Sequence, residues 1–153
     1  MAHTCVARRY LAKCSIKAGP GFSTLCANVL PTTMASSLRI FDLANNPLGK
    51  GGSDSLSLFL SLTQSLESLN IVNTNVDLHI VLEPLRLNNR LWTTLTTLDI
   101  SNNPFSEDAA INLGGFLKRS NVRAHQTRSR RRCEPRCSER AIARLVCFAP
   151  AVE

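Results

Sequence analysis

The sequence has few aromatic residues and no long apolar run. Phe, Trp and Tyr make up 5% of its 153 residues, with one Trp and one Tyr. No stretch reaches the roughly 20 apolar residues that a membrane-spanning helix needs. The first twenty residues contain four basic side chains and lack the apolar core of a secretory signal. These absences predict a cytoplasmic protein that is not transmembrane.

Histidine is also scarce, and this limits the possible chemistry. A Ser or Thr nucleophile needs a base within hydrogen-bond reach, and only His3, His79 and His125 are present. Asp42 and Asp99 are the other candidates, as a pair of catalytic carboxylates. They are expected two strands apart, and since strands are about 4.8 Å apart, the carboxylates should be separated by roughly 10 Å, the far limit for such a pair. No feature of the sequence would raise the pKa of either one. We therefore predict no enzyme, no cofactor and no small-molecule substrate.

All cysteines lie outside the central part of the chain. They are Cys5, Cys14, Cys26, Cys133, Cys137 and Cys147. This distribution argues against a core held by disulfides and favours a reducing compartment. His125 and the last three cysteines lack the paired spacing of zinc ligands, so no metal site is predicted.

The central part carries three copies of one apolar pattern. "LRIFDLANNPL" begins at Leu38, "LESLNIVNTNV" at Leu66 and "LTTLDISNNPF" at Leu95, so the starts are 28 and 29 residues apart. Each copy fits the leucine-rich-repeat frame L-x-x-L-x-L-x-x-N-x-L. The apolar period then changes from two to about 3.6, which is typical of a short strand followed by a helix.

The predicted fold is therefore an α/β leucine-rich-repeat solenoid of the ribonuclease-inhibitor-like type, with parallel strands inside and helices outside. We expect helices after Ser53 and Ser106, and a third helix with Pro84 in its first turn and Leu87 facing inward. Residues 21–120 form the repeat domain. Residues 1–20 are unassigned or a degenerate cap whose strand would begin at Leu11. Residues 121–153 form a basic, cysteine-containing tail, which its composition predicts to be disordered.

The ninth place of the frame holds Asn46, Thr74 and Asn103. An inward-facing amide can both donate to and accept from the loop backbone, which would otherwise be buried without partners. Threonine can do only part of this. We predict a structural role for these three residues.

Places two, three, five, seven and eight of the frame should point into the concave face, where a partner protein would bind. The candidate contact residues are Arg39, Asp42, Asn45, Glu67, Asn70, Asn73, Asp99 and Asn102. Between Leu38 and Leu117 there are eight acidic and four basic residues, which favours a basic partner over nucleic acid. A polar strand face that binds nothing is the alternative.

The repeat length, "LANNPLG", "ISNNPFS" and the threonine in "VNTNV" resemble the repeat domain of the CARMIL family, over about Gly21 to Ser120. Tropomodulin repeats have similar spacing. The resemblance implies a scaffold that links actin capping protein to myosin-I. His125, Thr127, Arg130 and Arg132 match parts of the family's capping-protein motif, whereas Arg123 and Arg131 replace its leucine and proline. The family's other domains have no counterpart, which suggests a fragment or splice product.

The C-terminal charge offers another function. The net charge is +7, yet Lys118 to Arg144 alone contains ten basic and two acidic residues. Such a run can neutralise phosphates or anionic lipid. The candidate polyanion-binding residues are Arg128, Arg130, Arg131, Arg132 and Arg136. Without interleaved aromatic residues, this binding would be non-specific and sensitive to salt.

Overall fold

The computed structural model describes residues 7–14, 16–17, 19–26, 36–120 and 123–125, with backbone alone at 7–10 and 123–125. The strands are β1 (Ala7–Tyr10), β2 (Leu38–Asp42), β3 (Ser68–Asn70), β4 (Thr97–Asp99) and β5 (Arg123–His125). The helices are α1 (Pro20–Thr24), α2 (Gly49–Leu62), α3 (Leu78–Leu87), α4 (Asn89–Thr94) and α5 (Glu107–Leu117).

The strands form one parallel sheet in chain order, β1-β2-β3-β4-β5. The three apolar frames lie side by side in register, because Phe41 pairs with Leu69 and Leu69 with Leu98. These residues are buried, as are Leu38, Leu66 and Leu95 at the first place. The predicted α/β class is confirmed, and the parallel sheet with its helices fits a fold of the leucine-rich-repeat type.

The core lies between the sheet and the helices. Phe41 of β2 meets Phe59 of α2 edge to face, with ring centroids 5.4 Å apart, a geometry that suits the ring quadrupoles. Leu56, Leu82 and Phe116 belong to the same buried cluster and lie on α2, α3 and α5. Every unit therefore buries its apolar face against its neighbours. Burial also raises the pKa of the Cys26 thiol to about 12, so this side chain stays protonated and packs as an apolar group.

The helix boundaries differ from the sequence prediction in the first two units. Helix α2 begins at Gly49, whose φ of 60° suits glycine, and Ser53 lies inside the helix instead of capping it. Pro84 is the seventh residue of α3, not part of its first turn, because Asp77 already caps the helix by accepting from the His79 N–H. Leu87 was expected to face inward, but it is 62% exposed.

Helix α5 starts as predicted, with Ser106 Oγ accepting from the Ala109 N–H at 3.1 Å. Glu107 and Asp108 occupy its first turn, where carboxylates interact favourably with the helix dipole. The helix ends at Leu117, just before Lys118.

Both ends of the sheet extend beyond the clear repeats. The first strand is Ala7–Tyr10 and pairs with β2, so the expectation that a strand begins at Leu11 is wrong. Leu11 and Ile16 instead follow the strand and pack partly buried against the core. Strand β5 pairs with β4 although its residues break the apolar pattern, because the ladder needs only backbone groups. The predicted disordered tail otherwise lies outside the described residues.

No helix within the described ranges combines the length and apolar character needed to cross a membrane.

Candidate functional site

The exposed side of the strands presents a continuous polar column. Asp42 pairs with Asn70 and Asn70 with Asp99 across β2, β3 and β4. All three side chains are half-buried. Neighbouring strands lie about 4.8 Å apart, so the two carboxylates are separated by roughly 10 Å with a neutral amide between them. The sequence therefore correctly anticipated that these three residues would align.

Each residue of this column also holds the turn that follows its strand. Asp42 Oδ1 accepts from the Ala44 N–H at 3.0 Å, and Asn70 Oδ1 accepts from the Val72 N–H at 3.2 Å. Asp99 Oδ1 accepts from the Ser101 N–H at 3.1 Å and from the Ser101 hydroxyl at 2.7 Å. One oxygen of each side chain thus serves the fold. Among the described residues, no turn N–H donates to the second carboxylate oxygen of Asp42 or of Asp99.

Arg39 and Glu67, at the second place of the frame, form an ion pair across β2 and β3. Their side chains are 40% and 42% exposed, so solvent weakens the pair and its contribution to stability is small. The pair does have an electrostatic consequence. It neutralises two of the charges expected to contact a partner and leaves Asp42 and Asp99 to set the charge of the face.

The eighth place holds three exposed asparagines in left-handed backbone, with φ of 59° at Asn45, 54° at Asn73 and 58° at Asn102. Asparagine tolerates this conformation better than most residues. The Asn73 Nδ2 donates to Asn45 Oδ1 at 3.1 Å. This hydrogen bond joins adjacent units at the rim of the face.

Asn46, at the ninth place, is fully buried and connects its loop to the preceding segment. Its Nδ2 donates to the carbonyls of Leu11 and Leu43 at 2.7 and 2.8 Å. Its Oδ1 accepts from the Ile16 N–H at 2.9 Å. The amide therefore satisfies buried backbone groups on both sides of the interface.

Asn103 repeats this arrangement one interface further along. Its Nδ2 donates to the carbonyls of Ile71 and Ile100 at 2.7 and 3.0 Å, and its Oδ1 accepts from the Thr74 N–H at 3.1 Å. The Thr74 hydroxyl lies 2.8 Å from the Ile71 carbonyl and 3.0 Å from Asn103 Oδ1. These contacts stay within the Thr74 loop or face the following unit, so the Thr74 side chain does not reach back toward β2, although the Thr74 carbonyl accepts from the Leu48 N–H at 2.9 Å.

Asn88, which sequence reasoning missed, links the first two units at the opposite edge. Its Nδ2 donates to the carbonyls of Leu60 and Thr63 at 2.9 Å each, at the end of α2. Its Oδ1 accepts from the Arg90 N–H at 3.1 Å and so caps α4. Asparagine immediately before a helix was the available signal. The frame of eleven places did not include it.

Asn112 has a similar role between α3 and α5. It is 6% exposed, and its Oδ1 accepts from Arg86 Nε at 3.0 Å. Its Nδ2 donates to the His79 carbonyl at 3.2 Å and lies 3.3 Å from His79 Nδ1. These contacts make His79 part of a helix interface.

The predicted polyanion-binding arginines, from Arg128 to Arg136, lie outside the described residues. So do the cysteines considered as zinc ligands. Within the part of the chain that the structure describes, no group of three or more His, Cys, Asp or Glu side chains is arranged to hold a metal ion.

Comparison with known proteins agrees with the repeat geometry. Residues 94–116 match the family model Leucine Rich Repeat. This segment contains β4, its asparagine loop and most of α5. No curated protein matches the chain significantly. The match supports a leucine-rich repeat protein, a class whose repeats generally act as non-enzymatic protein-interaction modules.

Proposed function

We propose that the repeat units form turns of a solenoid whose inner strand face binds a basic segment of a partner protein, without catalysis. The aligned column of Asp42, Asn70 and Asp99 is the observation that carries this proposal. It gives the face two negative charges at a fixed spacing. A flexible loop would not hold them at that spacing, whereas a parallel sheet does.

Charge balance supports a basic ligand. The ion pair between Arg39 and Glu67 neutralises itself. Asp42 and Asp99 then remain as the charged residues of the column, beside the amides of Asn45, Asn73 and Asn102. Amide groups can donate to and accept from a peptide backbone. The carboxylates would attract lysine or arginine side chains and increase the association rate at low salt.

The binding experiment is to replace Asp42 and Asp99 together by asparagine. Asn70 makes the same turn contact with an amide oxygen, so these substitutions remove charge while keeping the turns. A fluorescent, lysine-rich 15-residue peptide serves as the probe. We expect its affinity for the full chain to fall about tenfold, equivalent to ~1.4 kcal/mol.

The matched control is the pair Glu107→Gln and Asp108→Asn, which changes the net charge equally but acts on exposed positions of α5. It should leave the affinity within about twofold. Equal losses from both pairs would mean that only net charge matters, and the strand face would not be the binding surface.

A cytoskeletal role is the more specific form of this proposal. It rests on the repeat length of 28 to 29 residues and on the loop motifs that resemble CARMIL, and it places the protein in the cytoplasm, associated with the cytoskeleton. Purified actin capping protein and myosin-I are the partners to test by pull-down on the full chain. Failure to bind either would reject the cytoskeletal role and leave the general protein-binding proposal standing.

The arginine-rich tail supports a second candidate function, binding of nucleic acid or anionic lipid. The ten basic residues between Lys118 and Arg144 are its basis. Removal of residues 126–153 should abolish retention on heparin at low salt, because counterion release drives this type of binding. Retention that persists in the shortened chain would assign polyanion binding to another surface.

A further inference from the structure

A groove runs between α2 and α3 on the outer, helical side of the molecule, away from the strand face. It has a volume of about 420 Å³. Ser57 and Ser61 of α2 form one wall, and Glu83, Pro84 and Leu87 of α3 form the other, with Asn88 at one end. The groove thus lies along the seam where two repeat units meet.

Two of the polar side chains along this groove, Ser61 and Asn88, already have partners inside the protein. The Ser61 hydroxyl donates to the Leu58 carbonyl at 2.7 Å. The Asn88 side chain is occupied by the carbonyls of Leu60 and Thr63 and by the Arg90 N–H. These groups have little capacity to select a ligand. Recognition would depend on the remaining apolar and charged side chains.

Large apolar side chains are exposed around the groove. Leu87 is 62% exposed on its wall, and Leu58, on α2 next to Ser57, is 46% exposed. Scattered exposed leucines are ordinary on protein surfaces. Here Leu87 lines the groove, and Leu58 lies on α2 three residues before the lining Ser61, so it is next to that residue on the helix surface. Exposed apolar side chains close to a groove are common at protein–protein contacts.

The charge next to these leucines is acidic on both helices. Asp54 precedes Leu58 by four residues, and Glu83 precedes Leu87 by four residues. Residues four apart lie on the same helix face, one turn from each other. No hydrogen bond or ion pair involves the Glu83 side chain among the residues that the structure describes. No basic side chain lines the described part of the groove.

We infer that this groove is a docking site for an amphipathic helix of a partner protein that carries leucine-like residues on one face and lysine or arginine beside them. Apolar side chains of that helix pack against Leu58 and Leu87, and its basic residues meet Glu83 and Asp54. This is the helix-in-groove mode of peptide recognition. The site is separate from the strand face, so both surfaces can be occupied at once.

The test uses a synthetic 15-residue helical peptide with leucines four residues apart and lysines one turn from them. A second peptide replaces those lysines by glutamate. Fluorescence anisotropy with the full-length chain measures the affinity. We expect the lysine peptide to bind at least tenfold more tightly than the glutamate peptide. Failure of the lysine peptide to bind, or equal affinities, would overturn the inference.

Substitutions then locate the contact. The double change Leu58→Ser and Leu87→Ser should weaken binding of the lysine peptide at least tenfold, and Glu83→Lys at least fivefold. Ile111→Ser is the matched control, because Ile111 is 64% exposed but belongs to α5, away from the groove. All these side chains are exposed, so urea midpoints should change little and loss of folding will not imitate loss of binding.

Two outcomes distinguish this site from the strand face. The asparagine variants of Asp42 and Asp99 should bind the lysine peptide normally if the groove is the site. Binding that is lost in those variants and kept in the leucine variants would place the peptide on the strand face and reject the groove.

Discussion

A repeat unit here is one strand with the loop and helices that follow it. The units of β2 and β3 are joined by different residues from the units of β3 and β4, although all three follow the same eleven-place frame. Between β3 and β4, Asn103 reaches back from its loop to the Ile71 carbonyl and the Thr74 N–H. Between β2 and β3, only the backbone carbonyl of Thr74 reaches back, to the Leu48 N–H, and the Asn88 side chain makes a connection from the opposite edge. Both interfaces thus contain a half-buried side-chain amide that satisfies backbone groups of two units, but its position in the repeat is not fixed.

The largest expected effect comes from breaking the asparagine connections of the ninth place. Asn46→Ala leaves the Leu11 and Leu43 carbonyls and the Ile16 N–H without their partner. We expect a loss of about 3 kcal/mol in the free energy of unfolding, because buried backbone groups become unsatisfied. Thr74→Ala should cost only about 1 kcal/mol. Urea denaturation measures both values, and similar losses would contradict the contrast between asparagine and threonine.

The next effect tests the alternative connection. Asn88→Ala removes the donor to the Leu60 and Thr63 carbonyls and the cap of α4, so it should cost about 2 kcal/mol. Asn89→Ala is the control, since Asn89 is exposed, and it should change stability by less than about 0.5 kcal/mol. If the two variants unfold at the same urea concentration, Asn88 does not join the units.

The smallest effect has the opposite sign. The Thr63 hydroxyl, beside the same connection, is buried without a hydrogen-bond partner. Thr63→Val keeps the shape of the side chain and removes the unsatisfied group, so we expect a gain of about 1 kcal/mol. Thr63→Ser, which keeps the hydroxyl and loses a methyl group, should be less stable than the wild type. A valine variant that is destabilised would mean that the hydroxyl does have a stabilising partner.

The sequence predicts the parts of the fold that repeat. Buried leucines recur at fixed places because each strand meets an equivalent neighbour, so the frame correctly aligned Phe41, Leu69 and Leu98. The column of Asp42, Asn70 and Asp99 followed from the same alignment. Both predictions concern the position of a residue within its repeat, so they required no knowledge of contacts between distant parts of the chain.

The features that the sequence did not reveal depend on non-repeating contacts. Asn88 and Asn112 lie outside the eleven-place frame, and their partners in other units are 25 or more residues away in the chain. Strands β1 and β5 are at the edges of the sheet, where a neighbour covers one side only and apolar residues are less necessary. The start of α2 was misplaced because serine is a common cap, whereas the helix here begins at a glycine with positive φ.

The neutral amide of Asn70 has an electrostatic consequence for the strand face. An aspartate at this position would place three like charges about 4.8 Å apart in succession, and their repulsion would oppose the pairing of β2, β3 and β4. Asparagine keeps the turn contact with the Val72 N–H, and because it is neutral, the two carboxylates lie on strands that are not adjacent. Negative charge therefore falls on every second strand, at Asp42 and Asp99. Cationic groups of a ligand that pair with both carboxylates must themselves be separated by roughly 10 Å.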